Sequence, residues 1–319
     1  MADLTQPMIS SVSTNPSGFR TQFELRDVPI QFANAIRRIL LNEMPVVEVT
    51  DVQVLENTTL VPHEMLKLRT ELLPVNVRHT EEDIIRSAKL TLRVVEPGKV
   101  TTDNFGVTGG RNNILLRDRD LDTPLYFLKV KKDETVNITA SLRVNPLSSH
   151  VCVSTYSYHV DPEKALKNRQ IFLENNPGQE SLFDNFYKQK SFHTNEKGRP
   201  DWFDFTVESI GVIPAVELVK DALTIIKKRI TEWVKTEIVR ENEPNVYMVT
   251  TEVEGHTLGA LIQAVLYESG LVDFVSYDVP HPLRSEMRVR FLTEKTTDEI
   301  MSYLSGKIVE YCDTCLGIL

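Results

Sequence analysis

The chain has 319 residues, of which 41% are apolar and 25% charged, as in an ordinary globular protein. This length predicts two or three domains, and a chain of this size buries enough surface to fold without disulfide bonds. The formal net charge is −9. Residues 201–319 carry 20 acidic and 11 basic side chains. Because such an acidic surface repels phosphate groups, a free-standing nucleic-acid-binding protein is disfavoured.

Three cysteines, an odd and small number, are typical of a protein from a reducing compartment. The first residues are polar and lack the apolar core of a signal peptide, and no segment reaches the ~20 apolar residues of a membrane span. We therefore expect an intracellular protein with no membrane partner. The sequons at Asn57 and Asn137 then carry no meaning for glycosylation.

The first part of the chain predicts a strand, a helix, a second strand and a short helix. Residues 19–28 alternate with the period of a strand. Four apolar residues then recur at the spacing of one helix face: Phe32, Ile36, Ile39 and Leu40. Pro45 marks the end of that helix, residues 46–57 return to the strand period, and a short helix closes before Pro74.

From about residue 75 to 200, short strands alternate with turns rich in Gly, Asp and Asn. The segments that predict strands are 87–96, 113–118, 125–130, 135–145 and 150–160. Residues 98–113 predict a long loop, and residues 161–200 are polar and interrupted by loop signals, with a helix expected near Pro162–Glu174. This region therefore predicts a strand-rich insert.

A strand over residues 201–211 precedes a long amphipathic helix, whose first turn suits Pro214. Apolar residues keep helical spacing over about seven turns: Val216, Val219, Leu223, Ile226, Ile230 and Val234. The charged segment 240–245 suits a linker between modules.

From residue 246 the chain predicts a strand, a helix, two strands and a closing helix. The apolar stripe of the first of these helices consists of Leu258, Leu261, Ile262, Val265 and Leu266. The closing helix is expected to bury Ile300, Tyr303, Leu304, Ile308 and Tyr311.

This last order repeats an earlier one, since residues 19–56 with 201–238 also give strand, helix, strand, returning strand and long helix. The helices FANAIRRIL and LGALIQAVL are similar as well. We therefore predict an α+β fold of two modules, each with long helices on a small antiparallel sheet, paired pseudo-symmetrically like the halves of an isologous dimer. The expected domains are 1–52 with 201–239, an insert of 53–200, a linker of 240–245 and a second module of 246–319. The residues expected to pair the modules are Phe32, Ile36, Ile39, Leu40, Leu258, Leu261, Ile262 and Val265.

Two of the seven histidines, His256 and His281, lie beside side chains that active sites use. A catalytic role would need a nucleophile or a carboxylate within hydrogen-bond reach, and Glu254, Thr257 and Asp278 are the candidates nearest in sequence.

The alternative for these histidines is structural, and we favour it. Thr257 or another polar group beside His256 would cap the start of a helix, and Pro280 with Pro282 would fix a bend around His281.

The sequence offers few other candidates for chemistry. Cys312 and Cys315 have the spacing of a metal or redox motif, but no second ligand pair follows, and cysteines three residues apart in a helix more often pack. The chain has no phosphate-binding glycine loop and no zinc-protease motif. We therefore expect no catalytic residue, no metal and no cofactor.

Residues 34–75 resemble the start of the alpha-like D subunit of archaeal DNA-directed RNA polymerases and its eukaryotic counterparts. The positions that fit the family's motifs are Asn34, Arg37, Arg38, Asn57, Thr58, Glu64, Arg69, Leu72 and Pro74. The segment FDFTVESIGVIPAVELVKDAL resembles the return of that family into its dimerisation module. Leu68 and His63 depart from the pattern, which has His and Asp there.

The last segment resembles the small alpha-like partner, the L subunit. Its motifs correspond to His256, Thr257, Leu258 and Gly259, with Ala260 in place of the usual Asn, and further on to Tyr277, Pro280, His281 and Pro282. Together the resemblances cover most of residues 19–75 and 201–315. The chain thus looks like a fusion of the two alpha-like subunits, a feature of polymerases of some large nucleocytoplasmic DNA viruses.

The resemblance implies a non-catalytic scaffold, part of a nucleotidyltransferase complex, on which the two largest polymerase subunits dock. Asn34, Arg37, Arg38, Glu64 and Arg69 would contact those subunits. A solvated helix face is the alternative for the arginines, and a local surface pair for Glu64 and Arg69. His256, Thr257, Gly259, Pro280 and His281 would be structural.

The resemblance also implies a small zinc-bearing subunit as a further partner, and contact with DNA only through the complex. A viral protein of this kind would act in the host nucleus or cytoplasm and could be packaged in virions. Cellular relatives often hold metal in the insert, but the insert here has Cys152 as its sole cysteine. The remaining alternatives are a free DNA-binding regulator built on a pseudo-dimer and a histidine-dependent enzyme.

Overall fold

The computed structural model describes residues 8–111, 113–118, 121–148, 151–281, 283–284 and 286–319. The strands are β1 (Ile9–Thr14), β2 (Arg20–Arg26), β3 (Met44–Asn57), β4 (Lys89–Val94), β5 (Gly98–Thr101), β6 (Gly106–Thr108), β7 (Tyr126–Val130), β8 (Val136–Ser148), β9 (Cys152–Tyr158), β10 (Trp202–Ser209), β11 (Ile238–Arg240), β12 (Val246–Thr251), β13 (Phe274–Asp278) and β14 (Met287–Leu292). The helices are α1 (Ile30–Asn42), α2 (His63–Glu71), α3 (Glu82–Ser87), α4 (Pro162–Asn175), α5 (Glu180–Leu182), α6 (Ala215–Trp233), α7 (His256–Ser269) and α8 (Thr297–Ile318).

Contacts divide the chain into two compact units. The first comprises Met1–Leu41, Val153–Glu208 and Ala215–Leu319, as far as these are described, and the second comprises Asn42–Cys152 and Ser209–Pro214. Among the described helices, none combines the length and apolar character needed to cross a lipid bilayer.

The first unit contains two four-stranded sheets with the same plan. One has the order β1-β2-β10-β9 and the other the order β11-β12-β14-β13. In each, the central pair is antiparallel: β2 with β10, and β12 with β14. In the first sheet, α1 follows β2 and the long helix α6 follows β10. In the second sheet, α7 follows β12 and the long helix α8 follows β14. The predicted α+β architecture of two similar modules is confirmed.

In the sheet of the first module, buried side chains alternate with less buried ones along the strands. Along β10 every second side chain is buried, and Phe205 lies directly opposite Phe23 of β2. Their rings stack with centroids 5.0 Å apart. α6 contacts this sheet at β2. Because a sheet covered on one face buries every second side chain, period-two alternation is the pattern that the sequence needs here.

The helices of this unit bury regular apolar stripes, as the spacing predicts. α1 buries Phe32, Ile36, Ile39 and Leu40, and α7 buries Leu258, Leu261, Ile262, Val265 and Leu266. α6 packs against α8. One expected core residue of α8 differs, since Tyr303 is 38% exposed.

The second unit is built on the sheet β3-β8-β4-β6 and the pair β5-β7. Its core is a single apolar cluster that includes Leu66, Leu90, Leu92, Phe127 and Ile138. This unit contains residues 53–152 of the predicted strand-rich insert, whereas residues 153–200 lie in the first unit.

Several expectations about elements were wrong. Residues 98–113 are not one loop, because β5, a 3-10 turn and β6 lie there. Residues 113–118 form no regular strand, and Leu115 makes only an isolated bridge with Val75. Periodicity failed here because segments this short carry too few residues to display it.

The strand at 46–57 also lies elsewhere than expected. It is part of β3, which pairs with β8 in the second unit, and β9 completes the first module's sheet instead. A strand's period shows which face is buried but does not say which sheet the strand joins. The compact units accordingly divide at other positions than the predicted domains, whose boundaries stay a prediction.

The long helix is shorter than predicted, since α6 ends at Trp233 and Val234 lies beyond it. The chain then forms β11, which pairs with β12. The expected linker is the turn of this hairpin, closed by the Glu241 amide donating to the Val246 carbonyl. Pairing in the second sheet therefore extends the second module upstream of residue 246.

Candidate functional site

A groove beside α1 contains two of the residues expected to contact partners. The Arg37 guanidinium donates through Nε and Nη2 to Asn34 Oδ1, at 3.1 and 3.0 Å. The two residues are three positions apart and so share one helix face. Both line a groove of about 500 Å³ together with Tyr156, Tyr158 and Gln189.

The groove is cationic. Among the residues that the structure describes, no carboxylate lines it and Arg37 forms no ion pair. Burial and the neighbouring Tyr158 raise the pKa of Tyr156, whereas the positive charge of Arg37 opposes that rise. Asn34 holds the guanidinium in place, which leaves its outer edge available to a carboxylate or a carbonyl oxygen from outside.

The second arginine of the motif points elsewhere. Arg38 Nε donates to Thr257 Oγ1 at 2.9 Å, so it joins the first module to the second. Thr257 is not the N-cap of α7: the N-cap is Gly255, which has no side chain to cap the helix. The expectation that Thr257 caps the helix was wrong, because its hydroxyl accepts from the partner module.

In the second unit, Glu64 and Arg69 lie on α2. Glu64 is exposed, and Arg69 Nη1 donates to the Phe127 carbonyl at 2.8 Å, which ties α2 to β7. Asn57 shapes the turn before α2 by accepting from the Thr59 amide at 3.0 Å. Arg69 therefore has a contact inside its own unit.

Sequence reasoning missed a stripe of exposed apolar side chains on and just beyond α2. Met65, Leu68 and Leu72 are 43%, 49% and 58% exposed, while Leu66 is fully buried. Their spacing of three and four residues is that of one helix face, so the signal was present in the sequence. The sequence alone does not show which apolar residues of this segment are buried. The structure shows that Leu66 is the buried one, so Met65, Leu68 and Leu72 face solvent.

The residues expected to pair the modules are all buried. Ile39 of α1 lines a small void with Leu258 and Leu261 of α7. The Phe32 ring lies 5.3 Å from the Tyr311 ring of α8, measured between centroids. These contacts support the pairing role, and the individual assignments stay predictions.

Gly259 has a clear geometric reason. A Cβ atom there would lie 2.5 Å from Tyr277 Cδ2 and 2.7 Å from Met287 Sδ. The helix thus approaches its sheet closely at this point. His256, at the start of the same helix, places its ring edge-on to Tyr277 at 5.9 Å between centroids.

His281 lies in a turn, where its Nδ1 accepts from the Leu283 amide at 3.1 Å. Pro280 is exposed beside it, and Pro282, expected to fix the bend, lies outside the described residues. Neither His256 nor His281 lines the cavity of about 710 Å³ beside α7. Among the cavities formed by the described residues named here, none is lined by both histidines.

That large cavity lies beside α7 and is lined by Gln263, Tyr267, Glu268, Tyr277 and Arg199, among others. Arg199 belongs to the segment before β10, and its Nη1 lies 3.3 Å from Glu268 Oε1. Its guanidinium also lies over the Tyr267 ring, 5.2 Å from the centroid.

Within the described part of the chain, one cluster has the residue types of a metal site: Glu24, His159 and Asp204 offer ligand atoms within 4.8 Å of one another. His159 Nδ1 lies 2.8 Å from Asp204 Oδ1. The Arg26 guanidinium already pairs with Glu24 at 2.5 Å. Burial pushes the pKa of Glu24 upward, but hydrogen bonds from Arg26 and Ser11 and the Arg26 charge outweigh it, so this pKa lies below its ordinary value. The cluster is thus a cross-strand network in which Arg26 already compensates Glu24.

The three thiols are buried and form no disulfide. Burial raises the pKa of the Cys312 and Cys315 thiols to about 12. Cys315 Sγ contacts Met8 Sδ at 3.5 Å. The pair therefore packs as small apolar side chains, which is the packing interpretation of this motif.

Comparison with known proteins gives two family matches in the one chain. The profile of the RNA polymerase Rpb3/Rpb11 dimerisation domain matches residues 22–230, and a second profile with the same description matches residues 247–316. The first match spans the first module together with the second unit, and the second match spans most of the second module.

Individual relatives agree with this. The chain is 21% identical to DNA-directed RNA polymerase II subunit RPB3 of Schizosaccharomyces pombe, over 72% of this chain and 86% of the relative. It is 22% identical to DNA-directed RNA polymerase subunit Rpo3 of Pyrobaculum calidifontis, over 71% and 95%. It is 23% identical to a conjugation stage-specific protein of Tetrahymena thermophila, over 73% and 96%. The chain belongs to the family of the RNA polymerase Rpb3/Rpb11 dimerisation domain.

Proposed function

We propose that this protein is a non-catalytic assembly subunit of a DNA-directed RNA polymerase. The observation that carries the proposal is the presence of two dimerisation modules of this family in one chain, with the same strand order and in one compact unit. Relatives that are named polymerase subunits support it. The chemistry of nucleotide transfer would belong to other subunits of the complex.

In this proposal the chain is a fusion of two alpha-like partners. A covalent link turns pairing into an intramolecular step, with an effective concentration on the order of millimolar for a short connection. The connection here is short, since four residues separate α6 from β11. No separate dimerisation step would then precede assembly. The viral source inferred from the fusion stays a prediction.

Two surfaces are proposed to dock the two largest subunits. One is the groove of Asn34 and Arg37, in which a cation fixed by its neighbour faces outward without a carboxylate partner of its own. The other is the stripe of Met65, Leu68 and Leu72 in the second unit, with Glu64 exposed beside it. A charge fixed in place and an exposed apolar stripe are features of protein-binding surfaces. A small zinc-bearing subunit is a further proposed partner, and DNA would be reached only through the complex.

The test is co-purification from the source cells. A tagged wild-type chain should recover two polypeptides much larger than itself, identified by mass spectrometry as the largest polymerase subunits. Recovery of the tagged chain alone, in conditions where polymerase activity is present in the lysate, would contradict the proposal.

Single substitutions then test the surfaces. Arg37→Glu should reduce recovery of a large subunit at least tenfold, because a like charge replaces a cation that a partner carboxylate would contact. Leu68→Asp should do the same through the apolar stripe. Arg38 is left unchanged, since it contacts Thr257 inside the chain. Lys228→Glu, at an exposed position of α6, is the matched charge control and should leave recovery unaltered.

A further inference from the structure

The described ion pairs between the two modules have one direction. In three pairs that join the first module to the second, within the part of the chain that the structure describes, the cation belongs to the first: Arg199 with Glu268 at 3.3 Å, Lys227 with Asp313 at 2.6 Å, and Arg229 with Glu254 at 3.9 Å. The hydrogen bond from Arg38 to Thr257 has the same direction, since the cationic donor again lies in the first module.

These pairs differ in burial. The side chains of Arg229 and Glu254 are 24% and 10% exposed, so solvent screens this pair less than the other two. The pairs of Lys227 and Arg199 are about half exposed and would contribute little one by one. Their common direction matters more than their separate strengths, because every reversal would place like charges together.

The apolar contacts cannot select a partner in this way. α1 and α7 both bury a stripe of aliphatic side chains, and hydrophobic burial is non-directional. Similar modules could therefore also pair with copies of themselves in neighbouring chains. Charge complementarity distinguishes partners, since like charges at an interface are costly.

The charge balance of the second module sharpens this point. Residues 246–319 carry 11 acidic and 5 basic side chains, a net charge of −6. In a pair of two second modules, Glu254, Glu268 and Asp313 would lack their cationic partners Arg199, Lys227 and Arg229. Arg199 lies in the long segment between β9 and β10 of the first module. The corresponding segment of the second module, between β13 and β14, has only eight residues.

We propose that this polarised set of charges specifies the pairing: cations of the first module select the acidic face of the second and disfavour pairing between like modules. Arg199, Lys227 and Arg229 are the selecting residues, and Glu254, Glu268 and Asp313 are the residues they select. The inference rests on contacts within the chain and not on docking to larger subunits, so each can fail without the other.

The test is a charge-reversal cycle on the full-length chain, read as apparent Tm at low ionic strength. One variant carries Arg199→Glu, Lys227→Glu and Arg229→Glu, a second carries Glu254→Lys, Glu268→Lys and Asp313→Lys, and a third carries all six changes. We expect each triple variant to lose roughly 5 °C and the six-fold variant to regain most of that loss. Should a triple variant fail to fold, the single pair Arg229→Glu and Glu254→Arg is measured in the same cycle.

Ionic strength separates charge selection from packing. In 1 M NaCl the Debye length is about 3 Å, so the recovery in the six-fold variant should shrink. Reversing Lys228 and Glu232, an exposed pair within α6, is the matched control and should change Tm by less than about 2 °C. A six-fold variant that shows the sum of the two separate losses, or a recovery undiminished by salt, would overturn the proposal.

Discussion

The two modules of the first unit share one strand order, yet the helix after their second strand presents different side chains. Counted from the first residue of each helix, α1 has Asn34 and Arg37 at the fifth and eighth positions, where α7 has Ala260 and Gln263. The first pair lines a cationic groove with Tyr156 and Tyr158, and the second lines a cavity with Tyr277 and Glu268.

This difference shows that one shared fold can present two different surfaces. Buried positions of both helices remain apolar because truncating them costs several kcal/mol, whereas exposed positions change at little cost to stability. The modules can therefore keep one fold and present different chemistry to different partners. The contrast can be tested at the buried, the closely packed and the polar positions in turn.

The largest effect is expected from truncating the third position of each helix. Phe32→Ala should lower the free energy of unfolding by about 3–5 kcal/mol, and Leu258→Ala by about 2–4 kcal/mol, since both side chains are almost fully buried. Chemical denaturation measures both. Leu166→Ala, at an exposed apolar position, is the control and should cost less than about 0.5 kcal/mol. Loss in one module alone would show that the two frames are not equivalent.

The fourth position should separate the modules. α1 has a buried Ala33 there, whereas Gly259→Ala would push a methyl group into Tyr277 and Met287. We expect a loss of about 1–3 kcal/mol, measured by denaturant unfolding. Gly306→Ala on α8 has open space around the new Cβ and should stabilise the helix by up to about 1 kcal/mol. Equal effects of the two substitutions would contradict the close approach of α7 to its sheet.

A smaller effect is expected from the polar contact between modules. Thr257→Val removes the acceptor of Arg38 Nε and should cost about 1 kcal/mol. Thr224→Val is the control, because that hydroxyl is exposed and donates only to a carbonyl of its own helix. If both substitutions cost the same, the Arg38 contact adds nothing to the pairing of the modules.

The smallest effect concerns the thiols of α8, which α6 lacks. The pKa of Cys312 and Cys315 is raised from 9.0 to about 12, so their neutral form is favoured in the folded chain. The associated stability is complete below pH 9 and is lost as the pH rises through about 12. At pH 8 a thiol reagent should leave the folded chain unlabelled while the unfolded chain reacts fully. Rapid labelling of the folded chain would show that α8 opens.

Much of the frame could be predicted from periodicity. The spacing of Phe32, Ile36 and Ile39, and of Leu258, Leu261 and Val265, predicted α1 and α7 because long helices repeat their pattern often enough to be recognised. The polar residues around His256 also indicated that a helix starts there. The candidate docking residues Asn34 and Arg37 were also named from the sequence, and the structure brings them together.

The remaining errors share a cause. The strand at 46–57 was assigned to the first module, although its partner β8 begins at Val136, almost 80 residues after β3 ends. The segment 240–245 was predicted to be a linker because charged segments are typical of linkers. In the structure it forms the turn between β11 and β12. Arg38 was expected to face outward, yet its acceptor Thr257 lies 219 residues away in the chain. Contacts of such sequence separation leave no local pattern.

The sequence by itself determined the long helices and most of the strands, the faces that these elements bury, and that one module is repeated. Those properties depend on local periodicity and on side-chain polarity, which every residue carries with it. Only the tertiary structure decided which strand joins which sheet, and that the cations of one module meet the acids of the other. These outcomes depend on distances between residues far apart in the chain, which are defined only once the chain has folded.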